Sequence, residues 1–201
     1  MGDGEIHKVI KRERVEVIYK GVFELKKYYQ FLHDWLLEEG FEAADHPSAA
    51  DQFESFYWER KQASGLVDYN IWWRIKKTPD EQPTNWFVYY MNIDFLGLAI
   101  GKAEVMHEGK KVGAYKGELT TAMEPRIVLD PDHLWKDDAR FLNKLAKTFQ
   151  SRTYRKEIKY HKDQLDDLTF RLQEAIKDFL GLNTFGDYGD SFHPERGLGW
   201  K

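Results

Sequence analysis

The 201-residue sequence predicts an α+β domain: a curled antiparallel sheet of about five to seven strands, one N-terminal helix (about 24–39) and a long or bent C-terminal helical segment (about 131–181). Three observations predict it. Apolar and polar residues alternate with a period of two through much of 53–121, and turn residues interrupt them, which is how strands in a meander read. Leu25, Tyr28, Tyr29, Leu32, Trp35 and Leu36 recur at helical spacing. From Asp132 to Leu180 there is no Gly and no Pro, and the second half of that run carries Ile158, His161, Leu165, Leu168, Leu172, Ala175, Phe179 and Leu182 at steps of three and four. Steps of that size place side chains on one stripe of a helix.

Taken in order, Val15, Val17 and Tyr19 alternate with Glu16, Ile18 and Lys20, so residues 8–20 read as a strand that Gly21 ends. The first helix follows and closes at Glu38-Glu39-Gly40, with Gly40 as its left-handed cap. Residues 42–52, which contain His46-Pro47, read as a loop. Phe53–Lys61 is a strand with Phe56 and Trp58 on one face. In Leu66–Lys77, Val67, Tyr69, Ile71, Trp73 and Ile75 face one way, and Asp68, Asn70, Arg74 and Lys76 face the other, with Trp72 among them. Two prolines make 78–83 a turn, because proline has no N–H for a ladder. Asn85–Ile100 is one long strand, or two around Gly97; Glu108-Gly109-Lys110-Lys111 is a hairpin turn between Lys102–His107 and Val112–Thr121. Pro125 is expected to kink or end the last strand.

Asp130-Pro131 is a helix start, with an Asp cap and Pro at the first position. A single helix from there to Gly181 would run about 75 Å, but the stripe changes phase after Phe149, which predicts a break or strong bend at 150–155. Five of the fifteen glycines fall between 181 and 201. Residues 1–182 therefore read as one domain and 183–201 as a flexible tail.

Composition narrows the function classes. With no cysteine there is no disulfide framework, thiolate metal site or cysteine nucleophile. A net charge of −4 argues against a general polyanion binder, so nucleic acid is not the expected partner. The start, Met-Gly-Asp-Gly-Glu, lacks an apolar run, and Phe87–Ile100 is too short and polar to span a membrane; the expectation is a cytoplasmic protein, with membrane-peripheral attachment as the variant. No GxGxxG, P-loop, HExxH or GxSxG pattern is present, and no catalytic residue, cofactor or metal site is assigned.

The order of elements resembles the helix-grip arrangement of START-like lipid-binding domains, which implies a pocket for an apolar ligand between the sheet and the last helix. Val15-Glu-Val-Ile-Tyr-Lys-Gly-Val-Phe23, the helix Leu25–Phe41, the run Phe141-Leu-Asn-Lys-Leu145 and the ending Ile176-Lys-Asp-Phe-Leu-Gly-Leu182 are similar to a family of small archaeal proteins without a known activity. That second resemblance spans most of the chain except the tail and implies no functional residue.

Several groups of residues are candidates for binding. Trp58, Trp73, Tyr90, Asn92 and Asp94 fall on strands and would line a pocket if the curled sheet enclosed one; otherwise they are core and water-facing residues. Lys147, Arg152, Arg155, Lys156, Lys159 and Lys162 oppose only Glu157 and form a basic surface, fit for an anionic membrane or for the acidic run Asp163, Asp166, Asp167 of a second copy. Phe185, Tyr188, Phe192 and Trp200 in the tail suit a contact with a partner. His133 beside Asp130 and Asp132 reads as a helix start rather than a metal site, and His161 on the helical stripe as a core histidine. The leading expectation is a non-enzymatic binding or assembly module, homo-oligomeric or with a protein partner, that makes contact through the C-terminal helix and tail. A pocket for an apolar molecule and peripheral membrane binding through 134–162 are the alternatives.

Overall fold

The computed structural model describes residues 9–45, 49–79, 86–107, 110–129, 131 and 155–182. In chain order the elements are β1 (Val9–Lys11), β2 (Val15–Phe23), α1 (Leu25–Glu38), β3 (Glu42–Ala43), β4 (Glu54–Lys61), β5 (Val67–Lys77), β6 (Phe87–His107), β7 (Lys110–Leu129) and α2 (Arg155–Phe179). The seven strands form one open, antiparallel sheet. β7, β6 and β5 are its centre; β1 and β2 share the outer side of β7, and β3 and β4 share the outer side of β5. The fold is the α+β arrangement that the residue pattern predicts.

The first strand is two pieces where the sequence reads as one. β2 pairs Val15 with Met123, and β1 pairs Lys11 with Arg126, so Arg12–Arg14 face only Glu124 and Pro125. The carbonyl of Pro125 accepts from the Arg12 N–H at 3.0 Å. In a strand a residue's N–H and C=O point to the same side, so the N–H that proline lacks is the one β1–β2 would have needed. The first strand therefore bulges there, while β7 continues through Pro125 to Leu129. Residues 42–52 are likewise not all loop: Glu42 and Ala43 pair with Lys76 and Ile75. β6 is continuous from Phe87 to His107, with a bulge between Leu98 and Gly101 where Ala99 takes a positive φ of 52°. The hairpin pairing extends to His107 and Lys110, so Lys110 and Lys111 belong to the strand.

Alternation assigns the faces. Val17, Ile71, Trp73, Ile75, Phe87, Tyr89, Met91, Ile93, Phe95, Leu119, Met123 and Ile127 are buried on the inner face. Both helices cover that face. α1 contributes Tyr28, Leu32 and Leu36, and α2 contributes His161, Leu165, Leu168, Thr169, Leu172 and Ile176. Each fully buried leucine or isoleucine adds about 2–3 kcal/mol through apolar burial. The stripe on α2 follows the sequence through Leu172 and then ends on Ile176 rather than Ala175. Phe179, though partly exposed, stacks on Phe31 at 4.8 Å and meets Tyr28 at 5.6 Å, which joins the two helices.

Polar contacts fix the docking. Tyr28 and Thr121 share a buried hydroxyl–hydroxyl hydrogen bond of 2.6 Å, and Tyr89 Oη lies 2.7 Å from His161 Nδ1. Arg12 holds Asp166 through both oxygens, and Arg171 pairs with Glu39 beyond the end of α1. Both helices close as their glycines require. Gly40 (φ 79°) and Gly181 (φ 65°) sit in the left-handed region. The bonds Phe41 N–H to Leu36 O and Leu182 N–H to Lys177 O, with Gly40 N–H to Leu37 O and Gly181 N–H to Asp178 O, complete a Schellman closure at each end. The expected break at 150–155 lies mostly outside the described residues; α2 begins at Arg155.

Candidate functional site at the outer face and open edge of the sheet

Between α1 and the sheet the described residues leave little room. Among the described residues the apolar void between α1 and the sheet, lined by Tyr28, Tyr69, Ile71, Phe95 and Leu119, amounts to about 10 Å³, roughly one water. The surface chemistry of the sheet lies on its other side.

The five strand residues singled out for a pocket divide between the two faces. Trp73 is on the inner face, fully buried, and its indole N–H donates to Tyr29 Oη at 2.8 Å; that hydroxyl donates in turn to Glu54 Oε2 at 2.6 Å. Trp58, Tyr90, Asn92 and Asp94 are on the outer face, which neither helix covers. They do not converge on one cavity with Trp73, because neighbouring strand positions point to opposite sides.

Register gives the outer face its pattern. Phe56, Trp72, Asp94 and Ala122 lie in one row across β4, β5, β6 and β7; Trp58, Asn70, Leu96 and Thr120 lie in the next. Phe56 packs on Trp72 at 4.4 Å between ring centres. The guanidinium of Arg74 sits 5.4 Å over Trp72 while bonding to Asp94 at 2.8 Å, and Arg60 sits 5.7 Å over Trp58 while bonding to Asp68 at 2.9 Å. Arg126 lies over Tyr90 at 5.4 Å. The Trp72 indole N–H donates to Asn70 Oδ1 at 2.8 Å. Lys76–Glu42 and Lys20–Glu118 add further ion pairs on the same face. Charge here is therefore neutralised locally, and the aromatics stay in solvent: Phe56 is 37% exposed, Trp58 42% and Trp72 38%, while Tyr57, on the opposite side of β4 across from Ile71, is 49% exposed.

Asp68 anchors this corner. Its carboxylate accepts from the Ala99 N–H at 3.0 Å, from Gln62 Nε2 at 2.8 Å and from Arg60. These bonds, the backbone one first, hold its carboxyl down to about 2. One side chain so ties the 62–66 turn to the bulge in β6.

The same turn fixes the direction of the backbone in β4. The Gln62 N–H donates to Leu66 O at 2.8 Å, and the Gly65 N–H, at φ 82°, donates to Gln62 O at 3.0 Å. Gln62 therefore points its backbone at β5, and alternation aims Phe56, Trp58 and Arg60 the same way. The backbone groups of Tyr57, Glu59 and Lys61 point to the open edge, since among the described strands β4 pairs with β5 alone. Tyr57 also donates its hydroxyl to Glu59 Oε2 at 3.1 Å, and partial burial together with that carboxylate pushes the phenol up to about 12.

The other candidates are placed in part. Arg155, Lys156 and Lys159 are exposed at the start of α2, and Lys162 is half-buried. Lys147, Arg152, Phe185, Tyr188, Phe192 and Trp200 lie outside the described residues. Sequence reasoning passed over Tyr57 and the Phe56–Trp72 pair as a site, although the three consecutive aromatics at 56–58 were the available signal. Among the described residues no group of three or more His, Asp or Glu has the arrangement of a metal site, and no helix is long and apolar enough to cross a membrane. No protein-family model matches the chain, and no curated protein matches it.

Proposed function

We propose that this protein is a non-enzymatic module that works by binding or assembling, and that its principal contact surface is the aromatic edge formed by Phe56, Tyr57, Trp58 and Trp72. The observation that carries the reading is the division of the outer face. Its charged side chains are tied to one another as Arg74–Asp94, Lys76–Glu42 and Arg60–Asp68, whereas its large aromatic surfaces face solvent. A self-neutralised, aromatic surface suits another protein better than it suits a polyphosphate, which needs net positive field. Among the described residues the space between α1 and the sheet holds roughly one water, which supports contact from outside rather than enclosure of a ligand there. The C-terminal helix and tail remain part of the proposal as an additional contact.

Light scattering on the full chain from about 1 to 200 µM, at low and high salt, tests the reading. An assembled species that grows with concentration and persists at high salt is expected, because apolar burial is not screened as ion pairs are. A 23.9 kDa particle under every condition would refute self-assembly. Deleting 183–201 measures what the tail adds.

A further inference from the structure

We propose that β4 is a self-pairing edge: it joins β4 of a second copy, antiparallel, about a two-fold axis at Tyr57, so that the two sheets become one. The proposal rests on the assembly reading and names its partner.

Four features of the edge support it. β4 has eight residues, and all from Ser55 to Lys61 are exposed. Native edges are normally blunted by proline, a bulge or a charge in mid-strand; here the middle is Phe56-Tyr57-Trp58-Glu59, three aromatics and a single charge, and the bulge lies at the start, between Glu54 and Phe56. The backbone groups of Tyr57 and Glu59 already point outward. Charge is also divided along the strand: Asp51 and Glu54 stand at its beginning, Arg60 and Lys61 at its end. Antiparallel pairing brings each basic end beside the other copy's acidic end, whereas parallel pairing sets like against like.

Charge and ladder geometry select the register. Centred on Glu59, the pairing puts Glu59 opposite its own copy; centred on Trp58, it leaves the two Glu59 residues diagonal neighbours. Like charges so placed destabilise a sheet. Centred on Tyr57, Glu59 faces the second copy's Ser55, and Phe56 faces the second copy's Trp58 twice over. Tyr57 then occupies a hydrogen-bonded pair, as its outward backbone requires.

The test uses the absence of cysteine. In a hydrogen-bonded antiparallel pair the two Cα atoms at position 57 stand about 5.5 Å apart, within disulfide reach, while the two at position 59 are offset by four residues, about 13 Å. Full-length Tyr57→Cys should oxidise to a covalent dimer, and Glu59→Cys should not. Tyr57→Pro removes an N–H that points away from β5, so it should halve the native mass while the monomer keeps one cooperative melting transition whose Tm no longer depends on protein concentration. If that variant fails to fold, the two cysteine variants decide alone. Dimers that persist in a folded Tyr57→Pro, or cross-linking at 59 as readily as at 57, would overturn this pairing and leave the assembly reading standing. A wild-type monomer would sink both.

Discussion

Leu172→Ala probes whether α2 is docked on the sheet. Leu172 is fully buried in the middle of the helical stripe, between Leu168 and Ile176. The substitution removes three carbons and adds no unfavourable helix propensity, since alanine is the better helix former. At about 0.8 kcal/mol for each buried methylene equivalent, the lost transfer energy is about 2.4 kcal/mol. The cavity that stays open brings the total to about 3–4 kcal/mol. For a chain of this size that corresponds to a fall in Tm of about 6–16 °C. The control is Phe170→Ala on the same helix, where the ring is 55% exposed and the change should stay within about 0.5 kcal/mol. Urea titrations followed by far-ultraviolet circular dichroism and by tryptophan fluorescence measure both. A Leu172→Ala cost below about 1 kcal/mol, or equal costs for the two variants, would show that the stripe does not seal the sheet.

Other outcomes follow from particular contacts. Tyr28→Phe should cost about 1–2 kcal/mol because it strands the buried Thr121 hydroxyl, and adding Thr121→Val should recover part of that loss; strict additivity in the cycle would deny the bond. Gly40→Ala should destabilise by about 1 kcal/mol, since φ 79° strains any residue with a Cβ, and an unchanged urea midpoint would remove the cap argument. The pH dependence of Asp68 has a definite sign. Its carboxyl lies near 2 in the folded chain against an ordinary 3.8, so its contribution is complete above about pH 4 and is lost as pH falls through 2. Wild type should therefore lose more stability between pH 4 and 2 than Asp68→Asn does, and parallel curves would contradict that role.

Much of the fold was legible in the residues. The alternation in 67–77 separates Trp73 from Asp68 and Arg74 without any coordinates, because a strand has only two sides. The stripe from Ile158 to Leu172 identifies the docked face of α2 because 3.6 residues per turn leave one register, and Gly40 after two glutamates marks a helix end. The misses share a cause. Pro125 interrupts not its own strand but the one paired with it, more than a hundred residues earlier, and that depends on register. β3 is two residues long, too short to carry any period. Trp58 and Trp73 look alike in a strand pattern, and only pairing puts one in solvent and the other under α1.

By itself the sequence determined the class of fold, the sidedness of its strands and helices and the absence of cysteine chemistry, all of which follow from periods and residue types that act over a few neighbours. Tertiary structure alone decided that Trp73 is buried beneath α1, that Asp68 ties a turn to a distant bulge, and that three neighbouring aromatics stand on a strand which, among the described strands, has a partner on one side only. Those facts depend on which strand lies beside which, and that choice is set by contacts between residues far apart in the chain.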